Sequence, residues 1–193
     1  VGKTIADVAR MTGEEPGDTI FRLFKAHVEG VAAGRLKGSF SFVNFNQTEE
    51  NVKRIMRQPW VAFGTDGRVH APYGVLAKHI PAPHPRFYGT FPRVLGRYVR
   101  EEGVLRLEEA VRKMTSLPAQ RLGLHDRGLL RPGFWADITV FNPDTVIDRA
   151  DFVPPEATMR YPEGIDYLVV NGVVTLRDGE HTGALAGRVL RRR

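Results

Sequence analysis

Only two runs in the first 125 residues read as β-strands, SFSFVNF over 39–45 and WVAF over 60–63. That shortage constrains the fold more than any other property of the chain. Phe40 and Phe42 stand two apart, as on one face of a strand. Between the runs lies TEENVKRIMRQ, with Thr48 as N-cap, Glu49 and Glu50 in the first turn and basic residues towards the end, the order a helix dipole favours. Val52, Ile55 and Met56 form its apolar stripe. WVAF is apolar on both faces, as in a parallel sheet covered by helices. The unit is therefore βαβ. A closed (β/α)8 barrel needs eight strands and about 250 residues, and an open doubly wound sheet also needs more than two strands. The α/β part is either a small two-stranded domain or the last portion of a larger fold.

The flanking segments are mostly helical. Thr4 and Asp7 form a capping-box pair ahead of Ile5, Val8 and Ala9, and Gly13 closes that helix. Asp18 is the expected cap of a longer helix carrying Ile20, Leu23, Phe24, His27 and Val28, with His27 packed on its apolar face. Residues 68–88 show little periodicity and hold four prolines and three histidines; loops of this length are commonly functional. Helices are expected again over 89–103 and 107–116, the second with Leu107, Ala110, Val111 and Met114 on one face and Glu108 four residues before Arg112. A short helical turn, PAQRLGL, follows. From about residue 126 the pattern changes to strands and turns: Ala136 to Phe141, then two β-rich runs around Asn171-Gly172, the strongest short hairpin signal, then a turn at Asp178-Gly179.

Composition narrows the function classes. The chain has no cysteine, so it carries no disulfide, no Cys-ligated zinc and no Cys nucleophile, and it suits a reducing, cytoplasmic setting. No apolar run approaches membrane-spanning length, and the first residues show no signal peptide. Val at position 1 is expected of a chain that begins inside a longer protein, or of a processed one. The net charge of +6 comes from scattered arginines plus the tail from Arg188 to Arg193, with no aromatics interleaved. A solvated basic terminus is expected there, and no nucleic-acid partner.

Two positions carry candidate chemistry. Asp66 ends the apolar run and opens the long loop. An Asp-Gly pair is a favoured turn, but in α/β folds sites form at the C-terminal ends of strands, and the residues alone leave these two readings even. Arg86, in APHPRFYGTFPR, is stiffened by prolines and suits a carboxylate clamp through its planar fork; the competing reading is a surface arginine stacked on Phe87 or Tyr88. His70, His79 and His84 do not have metal-ligand spacing.

Four runs then stand out: TEENVKRIMRQPWVAFGTDG, HPRFYGTFPRVLGRYVREEGVLRLEEAVRKMTSLPAQRLGL, DRGLLRPGFWADITVFNPDTVIDRADF and VNGVVTLRDGEHTGALAGRVLR. Together they closely resemble the C-terminal part of D-aminoacylases, the N-acyl-D-amino-acid deacylases of the metal-dependent amidohydrolase superfamily. The HPR-x-x-GTFPRVLG run is specific to that family, and PG-x-x-ADI-x-VF is shared more widely. The resemblance implies an α/β fold, the C-terminal part of a (β/α)8 barrel over residues 1–125 contributing the last two βα units, then part of a small β-sandwich over 126–193. It implies that Asp66 is the catalytic carboxylate beside a zinc-bound water, acting as general base and then general acid, and a candidate metal ligand itself. It places Arg86 on the substrate carboxylate, with His84 beside it in the substrate site. The family's main zinc ligands would lie upstream, so this chain alone would neither hold zinc nor turn over substrate, and the N-terminal part of the same enzyme becomes its expected partner. The span from Asp66 to His84 is longer than the family often has. Alternatives are a cyclic-amide hydrolase of the same superfamily, or a non-catalytic interaction module derived from it. An isolated barrel piece is also expected to self-associate through exposed apolar edges.

Overall fold

The computed structural model describes residues 3–37, 40, 42–43, 46–79 and 83–191. They fall into two units, residues 1–48 and 49–193.

In the first unit, α1 (Ile5–Thr12) starts at the expected capping box. The Asp7 N–H donates to Thr4 Oγ1 at 3.1 Å and the Thr4 N–H donates to Asp7 Oδ2 at 2.9 Å, so two orphan donors are satisfied together. Gly13, at φ 69°, ends the helix in the left-handed region. Helix α2 (Pro16–Ala32) begins earlier than expected, with Glu15 rather than Asp18 at the cap. Pro16 explains the shift: its ring fixes φ and it lacks only an N–H that would be orphaned there anyway. Asp18 instead sits in the first turn, where its charge suits the dipole. His27 is half-buried, its ring 6.0 Å from Phe40, which also packs on Phe24 at 5.8 Å. The strand expected over 39–45 falls partly outside the described residues, and Phe40, Phe42 and Val43 belong to no strand.

The second unit holds α3 (Glu49–Met56), α4 (Gly74–His79), α5 (Arg86–Arg93), α6 (Leu107–Met114) and α7 (Ser116–Leu122). Helix α5 contains Pro92 and widens after it into π-helical turns over Val94–Glu101, ending with the Glu102 N–H on the Arg97 carbonyl five residues back. The loop expected over 68–88 is thus interrupted by α4 and shortened by α5, which begins three residues before the expected position 89. Met56, Val94, Tyr98, Val104 and Ala110 form the core, with Val52, Phe63, Val99, Leu105 and Met114 packed against it. On α6, Arg112 pairs with Glu109 at 2.7 Å, not with Glu108.

Four strands make one antiparallel sheet in chain order: β1 (Ile138–Phe141), β2 (Ile165–Val170), β3 (Val173–Arg177) and β4 (Glu180–His181). The hairpin at Asn171-Gly172 is where expected, with φ of 50° and 82° at the two turn residues, the double left-handed geometry that matches strand twist. Asp178-Gly179 repeats it with 50° and 79° between β3 and β4.

No strand precedes β1 among the described residues, so the paired strand expected over 60–63 is not formed. A strand exists only where a neighbour takes its N–H and C=O groups. Here the Phe63 N–H donates to the carbonyl of Lys113 at the end of α6 instead.

The π-helical turns dock on the loop after β1. Arg100 donates to the Val146 carbonyl at 2.6 Å, and Arg93 pairs with Asp148 at 2.9 Å. Val146 is fully buried between two glycines. A Cβ on Gly96 would lie 2.5 Å from the Val146 carbonyl oxygen, and one on Gly164, at φ 75°, would lie 2.5 Å from its nitrogen. Among the described residues, no helix is long and apolar enough to cross a membrane.

Candidate active site

The segment leaving α3 passes the end of α6 and reaches a corner at Thr65-Asp66-Gly67. Asp66 has φ 46°, in the left-handed region that aspartate tolerates better than most residues. The Gly67 N–H donates to Thr65 Oγ1 at 3.1 Å, tightening the corner. A Cβ on Gly67 would lie 3.3 Å from the Phe87 Cα, so the corner backbone rests against the first turn of α5.

That contact brings Asp66 and Arg86 together across twenty residues. Arg86 Nη2 lies 2.8 Å from Asp66 Oδ2, and Arg86 Nε donates to the Asp66 backbone carbonyl at 3.0 Å. One guanidinium therefore spans both the carboxylate and the main chain of the same residue. The Asp66 side chain is 84% exposed, and exposed ion pairs contribute little stability.

His84 supports the arrangement. Its Nδ1 accepts the Arg86 backbone N–H at 3.1 Å, which satisfies an orphan donor of the first turn of α5 and explains why the helix starts there. An accepting Nδ1 is a neutral imidazole with its proton on Nε2. Burial, with the Arg86 charge acting in the same direction, holds His84 below the usual histidine range, against a smaller opposing effect of Asp66. The ring packs edge-on against Phe152 at 4.8 Å.

Beside these lies a cluster that the residue pattern did not reveal. His70 Nδ1 is 2.8 Å from the Tyr88 hydroxyl, and the Tyr88 ring packs on Tyr161 at 5.4 Å. Burial, then the neighbouring Tyr161 and Tyr73, push the Tyr88 hydroxyl up to about 12, so it stays protonated. These residues lie on separate elements, and no spacing rule could have joined them.

Among the described residues, no three His, Cys, Asp or Glu side chains gather into a group that could hold a metal ion. The Asp66 carboxylate faces a guanidinium, and the donors present do not by themselves make a metal site. What they can do is narrower. A well-exposed carboxylate can exchange a proton with solvent or substrate, and a planar fork beside it can bind a carboxylate.

This chain is 40% identical over 164 residues to an N-acyl-D-glutamate deacylase and 40% identical over 174 residues to a D-aminoacylase, both of Alcaligenes xylosoxydans xylosoxydans. The matches cover 85% and 86% of this chain but 31% and 34% of those proteins. Among solved structures, a D-aminoacylase aligns over 99% of this chain and 35% of its own, with TM-score 0.72 and 36% identity. An N-acyl-D-glutamate deacylase from Bordetella bronchiseptica, in complex with zinc and a phosphonate inhibitor, aligns over 96% of this chain and 35% of its own, with TM-score 0.62 and 36% identity. The chain thus spans about a third of the length of these relatives. With the amidohydrolase family model matched over residues 1–176, the chain belongs to the amidohydrolase family.

Proposed function

We propose that this chain is the C-terminal portion of a zinc-dependent hydrolase that cleaves the amide bond of N-acyl-D-amino acids to a carboxylate and a D-amino acid. The observation that carries the reading is the Asp66–Arg86 pair. A proton-exchanging carboxylate and a carboxylate-binding fork stand 2.8 Å apart at a sharp corner, within a sequence about 40% identical to deacylases of that substrate class. In this reading residues 1–125 belong to the barrel as its last two βα units, and residues 126–193 to a small β-sandwich completed by the N-terminal part of the same enzyme.

The roles follow from the groups. Asp66 accepts the proton of the attacking water and delivers it to the departing nitrogen, so the same carboxylate serves as base and then acid. Arg86 binds the α-carboxylate of the D-amino acid; to do so it exchanges the Asp66 carboxylate for that of the substrate. Neutral His84 holds the Arg86 backbone and lines the substrate side. Zinc, held by residues outside this segment, is the proposed cofactor of the full-length enzyme.

The test is kinetic. In the full-length, zinc-loaded enzyme, Asp66→Ala should lower kcat by about a hundredfold or more with a small change in KM. Arg86→Ala should mainly raise KM. N-acyl-D-amino acids should be hydrolysed in preference to N-acyl-L-amino acids and to cyclic amides. Near-normal kcat in Asp66→Ala overturns the assignment.

A further inference from the structure

Asp66 is held at its front by Arg86, and the chain leading to it is held from behind by α6. Lys113, near the end of α6, is fully buried. Its ammonium donates to the Met56 carbonyl at 2.6 Å and to the Gln58 carbonyl, and lies 6.0 Å from the centre of the Phe63 ring. The backbone carbonyl of Lys113 accepts the Phe63 N–H at 3.1 Å. Its neighbour Arg112 donates to the Pro59 carbonyl at 2.6 Å, with its guanidinium fixed by two bonds to Glu109. Two consecutive residues therefore grip the backbone at positions 56, 58, 59 and 63 on the way to Asp66. Closing the end of α3 would need only donors at its last carbonyls. This grip extends past the helix end and along the run to the corner, at the cost of burying an ammonium.

We propose that Lys113, assisted by Arg112, is a positioning residue for Asp66. It holds residues 56–63 through the backbone of Met56, Gln58, Pro59 and Phe63, and thereby sets the place and direction of the carboxylate. This inference rests on the reading of Asp66 as the proton-transfer group. Its effect belongs in kcat, because displacing a proton-transfer group by a fraction of an ångström slows chemistry more than it weakens binding.

The experiment is a double-mutant cycle in the full-length, zinc-loaded enzyme, with an N-acyl-D-amino acid as substrate. Lys113→Met, which keeps the stem and removes the donors, should lower kcat about tenfold with KM within about twofold. Arg112→Gln should lower kcat by a smaller factor. In an Asp66→Asn background each should cost less than a further twofold, since a group acting through Asp66 has nothing left to position. Equal losses in both backgrounds, or an unchanged kcat in folded Lys113→Met, overturn the proposal. Should Lys113→Met fail to fold, Arg112→Gln, on a half-buried side chain, decides the matter by the same comparison. An unchanged kcat in Asp66→Asn alone would instead remove the underlying reading of Asp66.

Discussion

His84 shows how a site can depend on a base that stays uncharged. Its Nδ1 accepts the Arg86 N–H only while it is neutral, and burial together with the Arg86 charge keeps it so. The unfolded chain takes up this proton near pH 6.5, and the folded chain resists it until lower pH. Between those points the unfolded state binds more protons, so stability is full above about 6.5 and falls as pH drops towards the lowered value. In an NMR titration, His84 should titrate below an ordinary histidine. Arg86→Ala should move it upward by removing a like charge, and Asp66→Ala should move it downward. A His84 that titrates above the ordinary range contradicts the geometry.

The hairpin between β2 and β3 was legible because its cause is local. Asn171-Gly172 states its own backbone angles, and the strands follow. Asn171 also does more than turn. Its Oδ1 accepts from Arg127 at 2.6 Å, its Nδ2 donates to the Ala186 carbonyl at 2.6 Å, and its N–H reaches Asp137 at 2.8 Å. Asn171→Ala should therefore destabilise the protein by about 1–3 kcal/mol in denaturant unfolding, combining left-handed strain with lost side-chain bonds. Asn171→Gly, free of the strain, should cost less; equal losses would mean the backbone angle contributes nothing. The capping box of α1 was legible for the same reason. The run over 60–63 was not. Its apolar residues announce a buried segment, but whether that segment pairs as a strand depends on neighbours that sequence pattern does not supply. Lys113 was hidden for a related reason: on an amphipathic helix a lysine reads as solvated, and only the carbonyls of Met56 and Gln58 make its burial tolerable.

The amidohydrolase membership came from motif runs; Asp66 and Arg86 stood out from the residues alone and only their roles came with the resemblance, while their 2.8 Å meeting needed the α5 docking that no run encodes. The second unit leaves much apolar surface uncovered, with Trp60, Val69, Val75 and Leu130 all well exposed. An isolated piece of a larger fold is expected to self-associate through such exposed side chains. Expressed by itself, the 193-residue segment should elute above its monomer mass of 21.6 kDa in size-exclusion chromatography with light scattering. If the proposed function holds, co-expression with an N-terminal part of the proposed full-length enzyme should restore a discrete species. A monodisperse, stable monomer would favour a self-sufficient module.

Val146 between its two glycines has a consequence for how such a protein can change over time. The separation of the π-helical turns from the sheet is set by two missing side chains, so even one methyl at Gly96 or Gly164 acts as a wedge in the joint. Over time these two positions can therefore accept few residues besides glycine, since any side chain there must displace the Val146 backbone.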